Sequence, residues 1–142
     1  LVALTGEDGI VAVDPKDGAI TGRLQTGRGA HNFFPKGDGK HYFLSNRVEG
    51  TVSLIDTSND MRVVGSIRIP GGPDCMDITP DGKELWVTQR FLRRVAVVDI
   101  EQLKVVANIP VGKSPHGVFM LKGTAMPAGG PVRAASTAGD RR

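Results

Sequence analysis

Apolar residues in this chain fall in short runs closed by turn-forming residues, and the runs recur on a fixed step. Ile10 to Asp14 reads IVAVD, Val52 to Asp56 reads VSLID, and Val95 to Asp99 reads VAVVD, at intervals of 42 and 43 residues. Gly37 to Lys40 (GDGK) returns as Pro80 to Lys83 (PDGK), and Tyr42 to Asn46 (YFLSN) returns as Leu85 to Gln89 (LWVTQ). Self-similarity at such a period marks a stacked array in which each unit buries its apolar faces against its neighbours. The runs are short, and no helix-period stretch competes with them, so they predict strands.

Each unit parses into four strands, A to D. Asp74 to Thr79 reads as strand A, Glu84 to Thr88 as B, Val52 to Asp56 as a C strand and Arg62 to Ile69 as the D strand after it. Pro80-Asp81-Gly82-Lys83 supplies a tight A-to-B turn, because proline pre-sets the first turn position and glycine accepts a positive φ. Pro15 to Gly18, Thr57 to Asp60 and Ile100 to Leu103 are polar enough to reverse the chain between C and D. Strands C and D alternate or run apolar, as expected where both faces of a sheet pack against neighbours.

Leu1 to Thr5 matches strand B, whereas His116 to Leu121 matches strand A. One set of strands is therefore expected to be divided between the termini, the way circular arrays close. The predicted fold is an all-β propeller of four-stranded antiparallel blades, with three blades' worth of strands. Because typical propellers have roughly 4 to 8 blades, the expectation is a partial propeller or half of a six-bladed assembly of two copies. Blades should occupy residues 1–121, and residues 122–142, rich in Gly, Ala and Pro, should form a disordered basic tail.

Composition narrows the chemistry. Residues 1–119 hold 14 Lys and Arg against 14 Asp and Glu, so the formal charge of +3 arises in the tail and nothing directs the folded part toward nucleic acid. Cys75 is the only cysteine, which excludes an intrachain disulfide, a cysteine-only zinc site and a c-type haem attachment motif. No apolar run reaches the length of a membrane span, and Leu1 to Gly6 lack the basic start of a signal peptide. No phosphate loop, nucleophile elbow or paired-histidine zinc motif is present, and no cofactor is evident.

The strand-B motifs Tyr42 to Asn46 and Leu85 to Gln89, the strand-C runs ending in Asp56 and Asp99, Ile109 to Gly117 (IPVGKSPHG) and Pro80 to Lys83 together resemble the YVTN-repeat β-propeller family. The resemblance covers about residues 1–121. It implies a secreted, periplasmic or cell-surface protein, and kinship with the quinoprotein amine dehydrogenase and cytochrome d1 type propellers. This chain departs from the pattern at Ala30, where Pro73 and Pro115 stand in other units, and at Pro70, where Gly112 stands.

Blade strands alternate in direction, so the D-to-A and B-to-C loops emerge on one face. The D-to-A position holds His31, Asp74 and His116, each opening an innermost strand near the mouth of the central channel. The B-to-C position holds Arg47 and Arg90, with Arg28, Arg93, Arg94 and Lys113 nearby. Arginines there could grip carboxylate or phosphate, and the histidines could take a proton or a metal. The bland alternative is that equivalent residues recur because loop geometry recurs. Asp14, Asp56 and Asp99 precede turns and read as Asx-turn residues, not a catalytic cluster, as do Asp38 and Asp81. Cys75 reads as a small buried thiol and Trp86 as packing.

Three functions fit: a non-catalytic binding or interaction module for a protein or small anionic ligand; a subunit or fragment of an extracytoplasmic oxidoreductase; and a scaffold assembled from half-propellers. A fold shared by binders and enzymes does not choose among them.

Overall fold

A computed structural model of the chain describes residues 1–121. The expected basic tail, residues 122–142, lies outside the described residues. Turns divide the described chain into three antiparallel meanders, each pairing strands in sequence order. The first sheet holds β1 (Val2–Leu4), β2 (Gly9–Val13) and β3 (Ile20–Gln25), with one 3-10 turn, Thr5–Glu7, between β1 and β2. The second holds β4 (Ala30–Pro35), β5 (His41–Asn46), β6 (Thr51–Asp56) and β7 (Arg62–Arg68). The third holds β8 (Pro73–Ile78), β9 (Glu84–Gln89), β10 (Arg94–Asp99) and β11 (Lys104–Pro110). This is the all-β, partial-propeller architecture the repeat predicts.

The sheets stack face to face through two cores. Phe43, Val52, Leu54, Ile67, Met76, Leu85, Val87 and Val98 meet between the second and third sheets. Ile10, Ala30, Leu44 and Ile55 meet between the first and second. Adjacent residues such as Phe43 and Leu44 point to opposite cores, because side chains alternate across a strand. Every residue of β6 is buried, as the apolar C strands predict. Burying each large side chain contributes about 1.5–3 kcal/mol. The outer strands differ from expectation: β3, β7 and β11 are mostly exposed, because they lie at the rim, where neighbouring sheets diverge.

Inner strands stand side by side, β1 against β4 and β4 against β8. The expected strand His116 to Leu121 does not form, since residues 111–121 carry no strand and add nothing to β1. The segment lies along β8 instead. Thr88 Oγ1 donates to the His116 carbonyl at 2.7 Å, and Met120 N–H donates to the Asp77 carboxylate at 2.6 Å. It therefore flanks β8 as β8 flanks β4, on the side of the arc away from β1.

The turn aspartates behave as their spacing predicts. Asp14 accepts the Lys16 amide, Asp56 the Ser58 amide and hydroxyl, and Asp99 the Gln102 amide. Asp38 and Asp81 accept turn amides of Lys40 and Lys83.

Candidate functional site

The inner strands carry an irregularity that aims side chains at the channel mouth. On β4 the register with β5 shifts between Ala30 and Phe33, and on β8 the register with β9 shifts between Pro73 and Met76. One extra residue on the inner strand makes each a β-bulge, which breaks in-out alternation and turns side chains aside. His31 and Asn32 occupy the first bulge, Asp74 and Cys75 the second. A bulge leaves backbone groups without ladder partners, and strand-B hydroxyls supply them: Asn32 N–H donates to Ser45 Oγ and Cys75 N–H to Thr88 Oγ1, both at 3.1 Å.

The arginines are placed by the D-to-A loops. Arg47 N–H donates to the Gly29 carbonyl at 2.9 Å, and Arg90 N–H to the Gly72 carbonyl at 3.0 Å. Gly29 and Gly72 have φ of +73° and +70°, and a Cβ there would lie 2.7 Å from Val48 Cγ2 or 2.5 Å from the Phe91 ring. Glycine is thus required by both backbone and space. In the third unit Ser114 takes the same left-handed conformation at φ 52°.

These supports converge on Asp74, whose side chain is 0% exposed. Arg47 Nη2 donates to Oδ1 at 2.7 Å, Arg90 Nη1 donates to Oδ2 at 3.1 Å, and His31 Nε2 lies 2.7 Å from Oδ1. Arg47 Nη2 also abuts His31 Nε2. Burial disfavours the carboxylate, but hydrogen bonds from Arg47 and Arg90 and the charges of Arg47 and His31 outweigh it, holding the Asp74 carboxyl below its ordinary value. Two guanidiniums share one carboxylate, so the cluster keeps a positive charge. The arginine side chains are 26% and 34% exposed, which leaves part of each guanidinium open to solvent. Arg47 Nε is buried without a partner among the described residues.

Cys75 Sγ lies 3.1 Å from His116 Nδ1 and 4.0 Å from Asp74 Oδ1. Burial, and next the Asp74 charge, push the thiol above its ordinary pKa, against the Asn32 hydrogen bond and the charges of Arg47 and Arg90. A groove of about 380 Å³ opens beside Arg47, walled by Val48, Glu49, Arg68, Pro70 and Phe91. Val48 and Phe91 are both 67% exposed.

His31, Arg47, Asp74 and Arg90 thus form one cluster, and His116 joins it through Cys75. Arg94 Nε is turned to Gln89 Oε1, and Arg28 uses its backbone amide on Glu49. Sequence reasoning missed Glu49, the groove, and the roles of Asn46 and Gln89. Asn46 bonds Gly27, Thr51 and Ser53, and Gln89 bonds Pro70. Their shared place at the end of strand B was the available signal.

The model of the YNCE-like β-propeller family matches residues 1–126. Among solved structures, hydrazine synthase of Kuenenia stuttgartiensis is 30% identical over 61% of this chain, with a TM-score of 0.57. The dihydro-heme d1 dehydrogenase NirN, in complex with DHE, is 21% identical over 78%, with a TM-score of 0.61. Apo AztD from Citrobacter koseri is 19% identical over 78%, with a TM-score of 0.60. The chain spans 24%, 24% and 32% of those three chains. No curated protein sequence matches. Among the described residues no helix is long and apolar enough to cross a membrane.

Proposed function

We propose, from the premise that the chain belongs to the YNCE-like β-propeller family, that it is a non-catalytic binding module whose channel-mouth face captures an anionic ligand. The observation that carries this reading is the sharing of buried Asp74 by Arg47 and Arg90. The carboxylate fixes both guanidiniums before a ligand arrives, which lowers the ordering cost of binding. It neutralises only one of them. The net positive charge and free N–H groups suit a carboxylate or phosphate. The adjoining groove has the volume of a small-molecule site, and Phe91 and Val48 give it an apolar wall. The favoured ligand is an acidic group on an apolar body, free or displayed by a protein partner. The YVTN-type motifs support an extracytoplasmic setting.

Retention on immobilised carboxylate and phosphate ligands tests the reading. Arg47→Ala and Arg90→Ala should each weaken retention at least tenfold, and unchanged retention in the double variant would discard the face. A second reading, a portion of an oxidoreductase, draws on the dehydrogenase and the synthase among the solved structures. Visible absorption of the purified protein separates the two, since a bound chromophore would favour the second.

A further inference from the structure

Neighbouring inner segments meet through different chemistry at each joint. Between β4 and β8 the facing pair is His31 with Asp74, an imidazole against a carboxylate, with His31 Nε2 2.7 Å from Oδ1. Between β8 and the segment after β11 it is a thiol and an imidazole, Cys75 Sγ and His116 Nδ1, 3.1 Å apart. One ligand atom from each of Asp74, Cys75 and His116 lies within 4.8 Å of the other two. A tetrahedral zinc with a Zn–S bond of about 2.3 Å and Zn–N and Zn–O bonds of about 2.0–2.2 Å separates its ligand atoms by roughly 3.3–3.6 Å. The Sγ to Nδ1 and Sγ to Oδ1 distances of 3.1 and 4.0 Å bracket that range.

We propose that Asp74, Cys75 and His116 form a three-donor zinc site whose fourth position opens to the channel mouth. The donor set selects the ion: a thiolate and an imidazole suit zinc and disfavour magnesium and calcium, which take oxygen ligands. On binding, a Zn–S bond forms, the S–H bond breaks and the proton leaves to water, so the charge of the cluster rises by one unit only. Arg47 and Arg90 hold Asp74 through hydrogen bonds, the outer-shell support that orients a carboxylate ligand. His116 is exposed and Cys75 half-buried, so an ion has a path in.

The full chain, stripped of metal by a chelator, is titrated with zinc chloride against a chromophoric chelator, and with cobalt(II) as a spectroscopic stand-in. One zinc per chain is expected, with affinity reduced at least tenfold in Cys75→Ser and in His116→Ala. The cobalt complex should show a thiolate charge-transfer band that Cys75→Ser abolishes. Circular dichroism confirms that each variant keeps its sheet structure; His116 is exposed, so its variant keeps the comparison valid if Cys75→Ser unfolds. Absence of zinc binding, equal affinity in His116→Ala, or a cobalt complex without the thiolate band would overturn the site.

Discussion

Arg47 reaches from the second sheet to the third, where its Nη2 donates to Oδ1 of Asp74 at 2.7 Å. The contact ties two blades at the channel mouth, so it serves cohesion as well as recognition. Asp74→Ala leaves two guanidiniums without their anion, but both are partly hydrated, so the expected loss is about 2–3 kcal/mol. Arg90→Ala, which leaves Asp74 with Arg47 and His31, should cost about 1 kcal/mol. Urea unfolding of the single variants and of Asp74→Ala with Arg47→Ala checks the coupling; strict additivity would show that the pair does not interact.

Charge alone does not describe the arginines. Arg90→Lys keeps a cation near Asp74 and should unfold within about 1 kcal/mol of the parent, yet it loses the planar fork that matches carboxylate or phosphate. Retention on immobilised phosphate should fall while stability holds. Parallel loss of both would assign Arg90 to structure only.

Two glycines with similar backbones have different surroundings. Gly82 has φ +74° and open space about it, whereas Gly72 has φ +70° and the Phe91 ring where a Cβ would go. Alanine at Gly82 should cost about 1–2 kcal/mol for the left-handed conformation. Alanine at Gly72 adds the clash, should cost at least about 1 kcal/mol more, and displaces the loop that holds the Arg90 amide. Thermal melts of the two variants measure the difference directly.

Thr88 Oγ1 accepts the Cys75 amide and donates to the His116 carbonyl. Thr88→Val keeps the shape and removes both contacts, at an expected cost of about 1–3 kcal/mol for the stranded polar groups. Amide exchange should quicken at Cys75 and in residues 116–121 before it changes in β10. Uniform acceleration across the third sheet would contradict this local role.

Asp56 supplies a pH dependence. The Ser58 hydroxyl and amide, opposed by burial and aided by Arg62, lower its pKa from 3.8 to about 2. A carboxyl lowered on folding stabilises the fold above its unfolded value, and that contribution disappears as pH falls through the folded one. Asp56→Asn should therefore melt below the parent at neutral pH, with the gap closing between pH 3.8 and about 2. Melting curves across that interval test it, and a gap that stays constant would exclude the linkage.

The repeat made most of the fold readable because apolar parity and turn residues act locally. It also placed His31, Arg47, Asp74 and Arg90 on one face, since equivalent loops leave equivalent ends of the strands. It could not show Asp74 as the shared partner of two arginines, because that depends on a bulge that breaks the parity from which burial is read. Cys75 reads as a buried thiol in the sequence yet is half-buried in the fold for the same reason, as a bulge position is neither core nor solvent. His116 to Leu121 carries a strand-like pattern but lacks a neighbouring edge on its far side among the described residues, and propensity without a partner does not make a strand.

The extra residue in β4 and in β8 separates two jobs that a regular strand must do together. Positions 31–32 and 74–75 can change their chemistry while Phe43, Leu44, Leu85 and Val87 keep their packing. The bulges therefore make the mouth an exchangeable cassette, where new specificity could be evolved or grafted one blade at a time.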